Sequence, residues 1–152
     1  MVIHRGKNNY SDIENLFNSN CNIPVREIAD KDNIDAGMVY ITPANYHTLI
    51  ERNKTFALDV SESVWYSKPA IDVTFENAAN VYGDKCAGIL LSGANQDGAE
   101  GLLKLRTSGA LTIVQDPEDA EISTMPQAAV DLHAAEYILK ADEVINIMRS
   151  NN

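Results

Sequence analysis

The pattern of apolar and polar positions changes character near the middle of the chain. In the first half the apolar runs are short. Met1–His4 reads as the tail of a strand entering the polar loop "RGKNN". "SDIENLFNS" follows with a helical period, Ile13, Leu16 and Phe17 on one face and Ser11 as N-cap. "IPVREIA" reads as a strand, and "AGMVYITPANYHTLIERNKTFALDV" as two or three strands joined by tight turns at "PAN" and "RNK". From "WYSKPAIDVTFENAANVYG" onward the period becomes helical, with Pro69 near the first turn and Gly83 closing the segment.

Beyond Gly83, strands and helices alternate. "KCAGILLSG" is a nearly continuous apolar run, as a strand covered on both faces requires. "DGAEGLLKLRTSG" reads as a helix ending at Gly109, "ALTIVQD" as a strand, and "MPQAAVDL" as a short helix. "AEYIL" is a last strand, and "ADEVINIMRS" a last helix with Val144, Ile147 and Met148 on one side. Such alternation implies right-handed crossovers and a mostly parallel sheet. The expected fold is α/β: a three-layer sandwich with a mostly parallel sheet and an antiparallel hairpin addition, in one domain spanning residues 1–152.

Charge narrows the partners. Twenty-two acidic against 12 basic side chains give a formal net charge of −10, whereas nucleic-acid binding needs a basic footprint. Any acidic partner must therefore meet a local basic patch. Cys21 and Cys86 are too few for a disulfide framework, and Cys86 opens an apolar run where a packed thiol is expected. No apolar stretch is long enough to span a bilayer and no signal-peptide pattern opens the chain, so the expected compartment is the cytoplasm.

In parallel α/β sheets chemistry collects beyond the carboxyl ends of the strands. "SGANQDG" leaves one such end and "QDPED" another, while His4 ends the first apolar run. Asp97 has two readings. With Glu100 it has the spacing of a capping box at a helix N-terminus, the reading that local pattern favours. Alternatively it accepts a hydrogen bond from a histidine ring, as a catalytic aspartate does. His4 is the best-placed partner; His47 reads as a partly exposed strand residue, and His133 as solvent-facing or capping a short helix. Phosphate cradles fail on this loop. Ala99-Glu100 stand where a P-loop needs Lys and Ser or Thr, and Asn95 occupies the middle glycine of a dinucleotide fingerprint.

The stretch "ILLSGANQDGAEGLLKLRTSGALTIVQDPEDAEISTMPQAAVDL" resembles the catalytic domain of chemotaxis protein-glutamate methylesterases of the CheB type. That family carries a strand ending in T-G-M-G-x-D-G, a helix, a strand ending in Q-D, and a Met-Pro helix. Ser92 to Gly98, Gln115-Asp116 and Met125-Pro126 stand at those places. "KPAIDVTF" is similar to the family's R-P-S-V-D-V-L-F, "AGMVYITPANYH" to its hairpin, and "VIHRG" to the strand with its catalytic histidine.

The resemblance implies serine-nucleophile hydrolysis of glutamate methyl esters on chemoreceptors, and in some members glutamine deamidation. It implies His4 as general base, Asp97 as its orienting partner, and Ala94 as the position whose backbone N–H helps hold the oxyanion. No cofactor and no metal are expected. The implied partners are the cytoplasmic helices of methyl-accepting chemoreceptors, with a phosphorylatable receiver domain in trans; neither nucleic acid nor membrane insertion is expected. Arg5, Lys7 and Lys68 offer local positive potential for an acidic helix. Substrate-binding residues are not indicated. The family's nucleophile lies in a Gly-x-Ser-x-Gly-like turn upstream of the histidine strand. Ser11, Ser19, Ser92 and Cys21 do not replace it. The expectation is a domain incomplete at its N-terminus and inactive by itself; the alternative is a non-catalytic protein-binding module of the same fold.

Overall fold

A computed structural model describes residues 1–5 and 13–150, without the side chain of Ser150. The helix cap at Ser11 and the cation at Lys7 lie outside these residues. The chain is mixed α/β, with mostly parallel strand pairs and one antiparallel pair, as expected. Its order is α1 (Ile13–Asn18), β1 (Val25–Glu27), β2 (Val39–Ile41), β3 (His47–Ile50), β4 (Phe56–Asp59), α2 (Ile71–Tyr82), β5 (Ala87–Leu90), α3 (Ala99–Thr107), β6 (Leu111–Gln115), α4 (Thr124–Asp131), β7 (Tyr137–Leu139) and α5 (Ala141–Ser150).

The strands form three short ladders. β5, β6 and β7 pair in parallel in chain order, with Ile89 opposite Ile113 and Ile113 opposite Tyr137. Residues 111–114 read Leu-Thr-Ile-Val, and Thr112, Ile113 and Val114 are fully covered, which suits a central strand. β3 and β4 form the antiparallel hairpin, closed across residues 51–55. β2 does not join it. It runs parallel to β1, and on its other side Met1 lies alongside, its nitrogen donating to the Tyr40 carbonyl at 2.6 Å and its carbonyl accepting from Thr42 at 3.0 Å. The "PAN" turn therefore separates two ladders. Residues 1–5 form no strand of their own, against the expected strand tail at Met1–His4.

The main core gathers Leu90, Leu102, Leu105, Val114, Met125 and Ala129 between α3, α4 and the β5–β6 pair. A satellite core of Ile28, Tyr40 and Phe56 sits under the first half, with the Tyr40 and Phe56 rings 4.9 Å apart. Two helical faces are less buried than their periodicity suggests. Leu16 on α1 and Met148 on α5 are exposed, and α5 buries Val144. Short terminal helices have little neighbouring surface to cover a whole stripe.

α2 and α3 approach closely at their amino ends. A Cβ on Gly101 would lie 2.8 Å from the Asp72 carbonyl oxygen and 2.9 Å from the Asp72 Cα, so only glycine allows the contact. Helix propensity alone would make Gly101→Ala stabilising, by up to about 1 kcal/mol. The contact reverses the sign: Gly101→Ala is expected to lower unfolding free energy by roughly 2–3 kcal/mol in urea denaturation.

Candidate active site

The loop after β5 is built by tethers to the next two elements. The Ser92 N–H donates to the Gln115 side-chain carbonyl at 3.0 Å, and the Ser92 hydroxyl exchanges hydrogen bonds with the Ile122 backbone. Gly93 donates to the Ile122 carbonyl, and its own carbonyl accepts from Met125. A side chain at 93 would collide with the Met125 thioether. Gln115 is itself held by Asp119 at 2.9 Å, which also accepts the Ala141 N–H at the start of α5. Those donors hold the Asp119 carboxyl below its ordinary value, the Ala141 amide most. "QDPED" and "MP" thus act as the frame of this loop.

Asp97 does not cap the helix that follows it. The N-cap of α3 is Gly98, left-handed at φ 94° and without a side-chain cap, so the expected Asp97–Glu100 capping box is absent. The left-handed turn sends the Asp97 carboxylate sideways to α2. There Oδ2 accepts the Ile71 N–H at 2.6 Å and Oδ1 the Asp72 N–H at 2.9 Å. Oδ2 also meets His4 Nε2 at 2.6 Å. The capping reading that local spacing favoured is thus overturned: Asp97 caps α2 and not its own helix, and it meets the His4 ring as well.

Asp72 returns the exchange. Its Oδ1 accepts the Gly101 N–H of α3 at 2.7 Å, and its Oδ2 accepts the Trp65 indole N–H at 3.1 Å. Each helix therefore receives a carboxylate from the other's entry, where free N–H groups and the dipole favour negative charge. Burial pushes the Asp72 carboxyl above its ordinary value of 3.8, the Gly101 donor opposes this, and the nearby Asp97 charge adds to it.

His4 is brought to Asp97 across 93 residues of chain. Its side chain keeps 26% of its surface while Asp97 keeps 0%, so the ring is open to the cleft and the carboxylate is sealed behind it. Neighbouring Arg5 anchors this segment, donating to Glu27 at 2.6 Å and to the Thr42 carbonyl at 3.0 Å. A carboxylate only accepts, so Nε2 carries the proton and Nδ1 is left with the lone pair. Nδ1 faces the Ser67 hydroxyl at 3.4 Å, and the Asn95 amide donates to that hydroxyl at 3.1 Å.

His4, Asn45, Ser67 and Lys68 line an open cleft of about 310 Å³. Ala94 is exposed on the bend beside Asn95, and among the described residues its N–H has no hydrogen-bond partner. His47 departs from its reading as a partly exposed strand residue. It is fully buried, accepts the Ala70 N–H at 3.2 Å and donates to the Glu62 carbonyl, bracing the segment that leads into α2. His133 is exposed at a helix end, as expected. The Ser19 hydroxyl donates to the Asn15 carbonyl and the Ser92 hydroxyl is held by the Ile122 backbone, while Cys21 is a free, exposed thiol. Among the described residues no three His, Cys, Asp or Glu side chains converge on a metal position. No helix among them is long and apolar enough to cross a membrane.

Ser67, Asn95, Trp65 and Asp72 complete the surroundings, and single-chain reading does not find them. Asn95 and Asp72 stand in recognisable segments, but their contacts join loops far apart in sequence. Trp65 and Tyr66 form the centre of a two-residue turn in which Val64 and Ser67 exchange backbone hydrogen bonds, at φ 49° and 61°. Asn-Gly is the usual occupant of that geometry.

Comparison with known proteins bears on the family and the fold. The family model described as CheB methylesterase matches residues 1–148. A putative protein-glutamate methylesterase/protein-glutamine glutaminase of Leptospira interrogans (serovar copenhageni, strain Fiocruz L1-130) is 42% identical over 147 residues, which cover 97% of this chain and 76% of that protein. A Rhodospirillum rubrum protein-glutamate methylesterase/protein-glutamine glutaminase 2 is 36% identical over 140 residues, 90% of this chain and 39% of the relative. The crystal structure of the Thermotoga maritima CheB methylesterase catalytic domain superposes with a TM-score of 0.88 at 28% identity, covering 94% of this chain and 77% of that one.

The exchanged carboxylates generate a test by titration. A carboxyl whose folded value is raised binds its proton more tightly in the fold. Its contribution to stability is therefore least favourable above the raised value and improves as pH falls toward 3.8. In carbon NMR, Asp72 is expected to titrate above the ordinary aspartate range. Trp65→Phe removes a donor to the ionised form and moves that midpoint higher still; a lower midpoint would contradict the assigned contact.

Proposed function

The chain belongs to the CheB methylesterase family, and we propose that it carries the base half of a serine esterase acting on glutamate methyl esters of chemoreceptor helices, with glutamine deamidation by the same chemistry. The observation that carries this reading is the 2.6 Å contact between His4 Nε2 and the fully buried Asp97 carboxylate, with Nδ1 turned to an open cleft.

In this mechanism His4 Nδ1 takes the proton of an attacking serine hydroxyl. The imidazolium that forms is stabilised by Asp97, whose two backbone donors from α2 keep it fixed. The oxygen of the tetrahedral intermediate is held in part by the Ala94 N–H, a donor that needs no particular side chain. His4 returns the proton to the departing methanol or ammonia, then activates the water that cleaves the acyl-enzyme. The chemoreceptor substrate is drawn from the family's implied reaction, and it sets the work in the cytoplasm.

The serine is supplied from outside these 152 residues. Two facts support this: no Gly-x-Ser-x-Gly-like turn occurs in the sequence, and about a quarter of the Leptospira relative and of the Thermotoga domain lies beyond the match. Among the described residues the Ser67 hydroxyl lies within hydrogen-bond reach of the base nitrogen, but it stands in a strained loop and not on a strand-to-helix elbow.

Methanol release from a methylated receptor tests the proposal directly. Residues 1–152 alone are expected to release none, and a version extended upstream through a Gly-x-Ser-x-Gly turn to release it at a measurable rate. In the extended version His4→Gln or Asp97→Asn lowers kcat by about 10⁴-fold. Circular dichroism on Asp97→Asn separates lost chemistry from lost capping of α2. An active 152-residue chain labelled at Ser67 by a fluorophosphonate would transfer the nucleophile to that residue and sink the present assignment.

A further inference from the structure

Taking the esterase reading of the cleft as given, we infer that Tyr66 and Lys68 form its peptide subsite and that the subsite takes an acidic helical segment, Tyr66 packing on the peptide and Lys68 meeting a carboxylate beside the ester.

The turn is the first observation. Trp65 and Tyr66 both hold left-handed backbone, at φ 49° and 61°, where side chains with a Cβ are disfavoured. The conformation is held from three directions. Val64 and Ser67 exchange backbone hydrogen bonds, the Trp65 indole donates to buried Asp72, and the Asn95 amide donates to the Trp65 carbonyl. Such over-determined strain marks a position kept for something other than stability. Its product is Tyr66, fully exposed at the edge of the cleft that His4 lines. A rigid exposed aromatic beside a reactive group offers contact area at small entropic cost.

Charge is the second observation. The molecule carries a net −10, yet among the described residues His4, Arg5 and Lys68 line the cleft and no Asp or Glu does. Arg5 is already committed to Glu27. The Lys68 ammonium donates only to the Val60 carbonyl, and among the described residues no carboxylate forms an ion pair with it; Asp59 senses its charge from farther off. An anionic peptide meets a favourable local field here on an otherwise acidic molecule.

The test needs no turnover. Trp65 is the sole tryptophan, so its emission reports occupancy of the subsite. The probe is an alanine-based helical peptide carrying a glutamate γ-methyl ester flanked by glutamates one turn to either side; its twin carries glutamines. The 152-residue chain is expected to bind the acidic peptide with a saturable change in Trp65 emission, and the twin several-fold more weakly. Tyr66→Gly relaxes the turn, so its melting midpoint stays equal or rises while its affinity falls at least about fivefold. Lys68→Gln removes the preference for the acidic peptide and flattens the salt dependence. Unchanged affinity in Tyr66→Gly, or equal binding of the two peptides by the wild-type chain, overturns the inference. Failure of the catalytic reading would appear separately, as methanol release that survives His4→Gln.

Discussion

A carboxylate with no exposed surface must find donors inside the protein, and Asp97 finds three from two directions. Two are the first amides of α2, and the third is the His4 ring. The group that orients the histidine is therefore also the cap of a helix. Burying a charge is unfavourable unless it is paired and hydrogen-bonded, and here the α2 amino terminus supplies both donors and dipole. Because those amides belong to a 12-residue helix packed against α3, the aspartate has little freedom to follow the imidazole. The imidazole instead settles against a fixed acceptor. That rigidity is what preorganised catalysis asks of an orienting residue.

The same exchange explains the glycines around it. Gly98 turns the chain so that Asp97 leaves the axis of α3, and Gly101 lets the two helices approach until Asp72 reaches the α3 amides. Asp72 is less comfortable than its counterpart, since it shares a buried volume with a second carboxylate and has one indole and one backbone donor. Its indole donor ties it to the Trp65 turn. Helix packing, the carboxylate pair and the rim of the cleft are thus one connected set of contacts.

How much of this was legible in the sequence depends on the range of the interaction. The second-half elements were readable because apolar runs such as residues 86–91 and 111–114 are bounded by Gly, Asp and Pro, which are local signals. The pairing of His4 with Asp97 was reached through family likeness, not periodicity. Asp97-Gly-Ala-Glu100 misled in one respect: spacing along the chain suggests a capping box, while the left-handed Gly98 redirects the side chain to a helix 25 residues away. His47 hid for a related reason. Its hairpin position says half-exposed, but the loop that returns over it supplies Ala70 and Glu62 as partners. Ser67 carries no local motif at all, and its relation to His4 spans 63 residues.

The direction of the histidine has a consequence for how a nucleophile must arrive. In the familiar serine-protease arrangement the aspartate meets Nδ1 and the serine meets Nε2. Here Asp97 takes Nε2, so the only nitrogen left to act as base is Nδ1, which faces Ser67 and the cleft. On the proposed mechanism the roles are unchanged, because a triad is defined by the order of its hydrogen bonds and not by which ring nitrogen serves each one. The approach is more constrained. A serine seeking Nδ1 must share space with the Ser67 hydroxyl, itself held by Asn95. On the proposed reading, Ser67 occupies the base nitrogen until the nucleophile displaces it. Substrate then enters along the side where Tyr66 and Lys68 stand, so chemistry and peptide recognition are confined to one edge of the molecule.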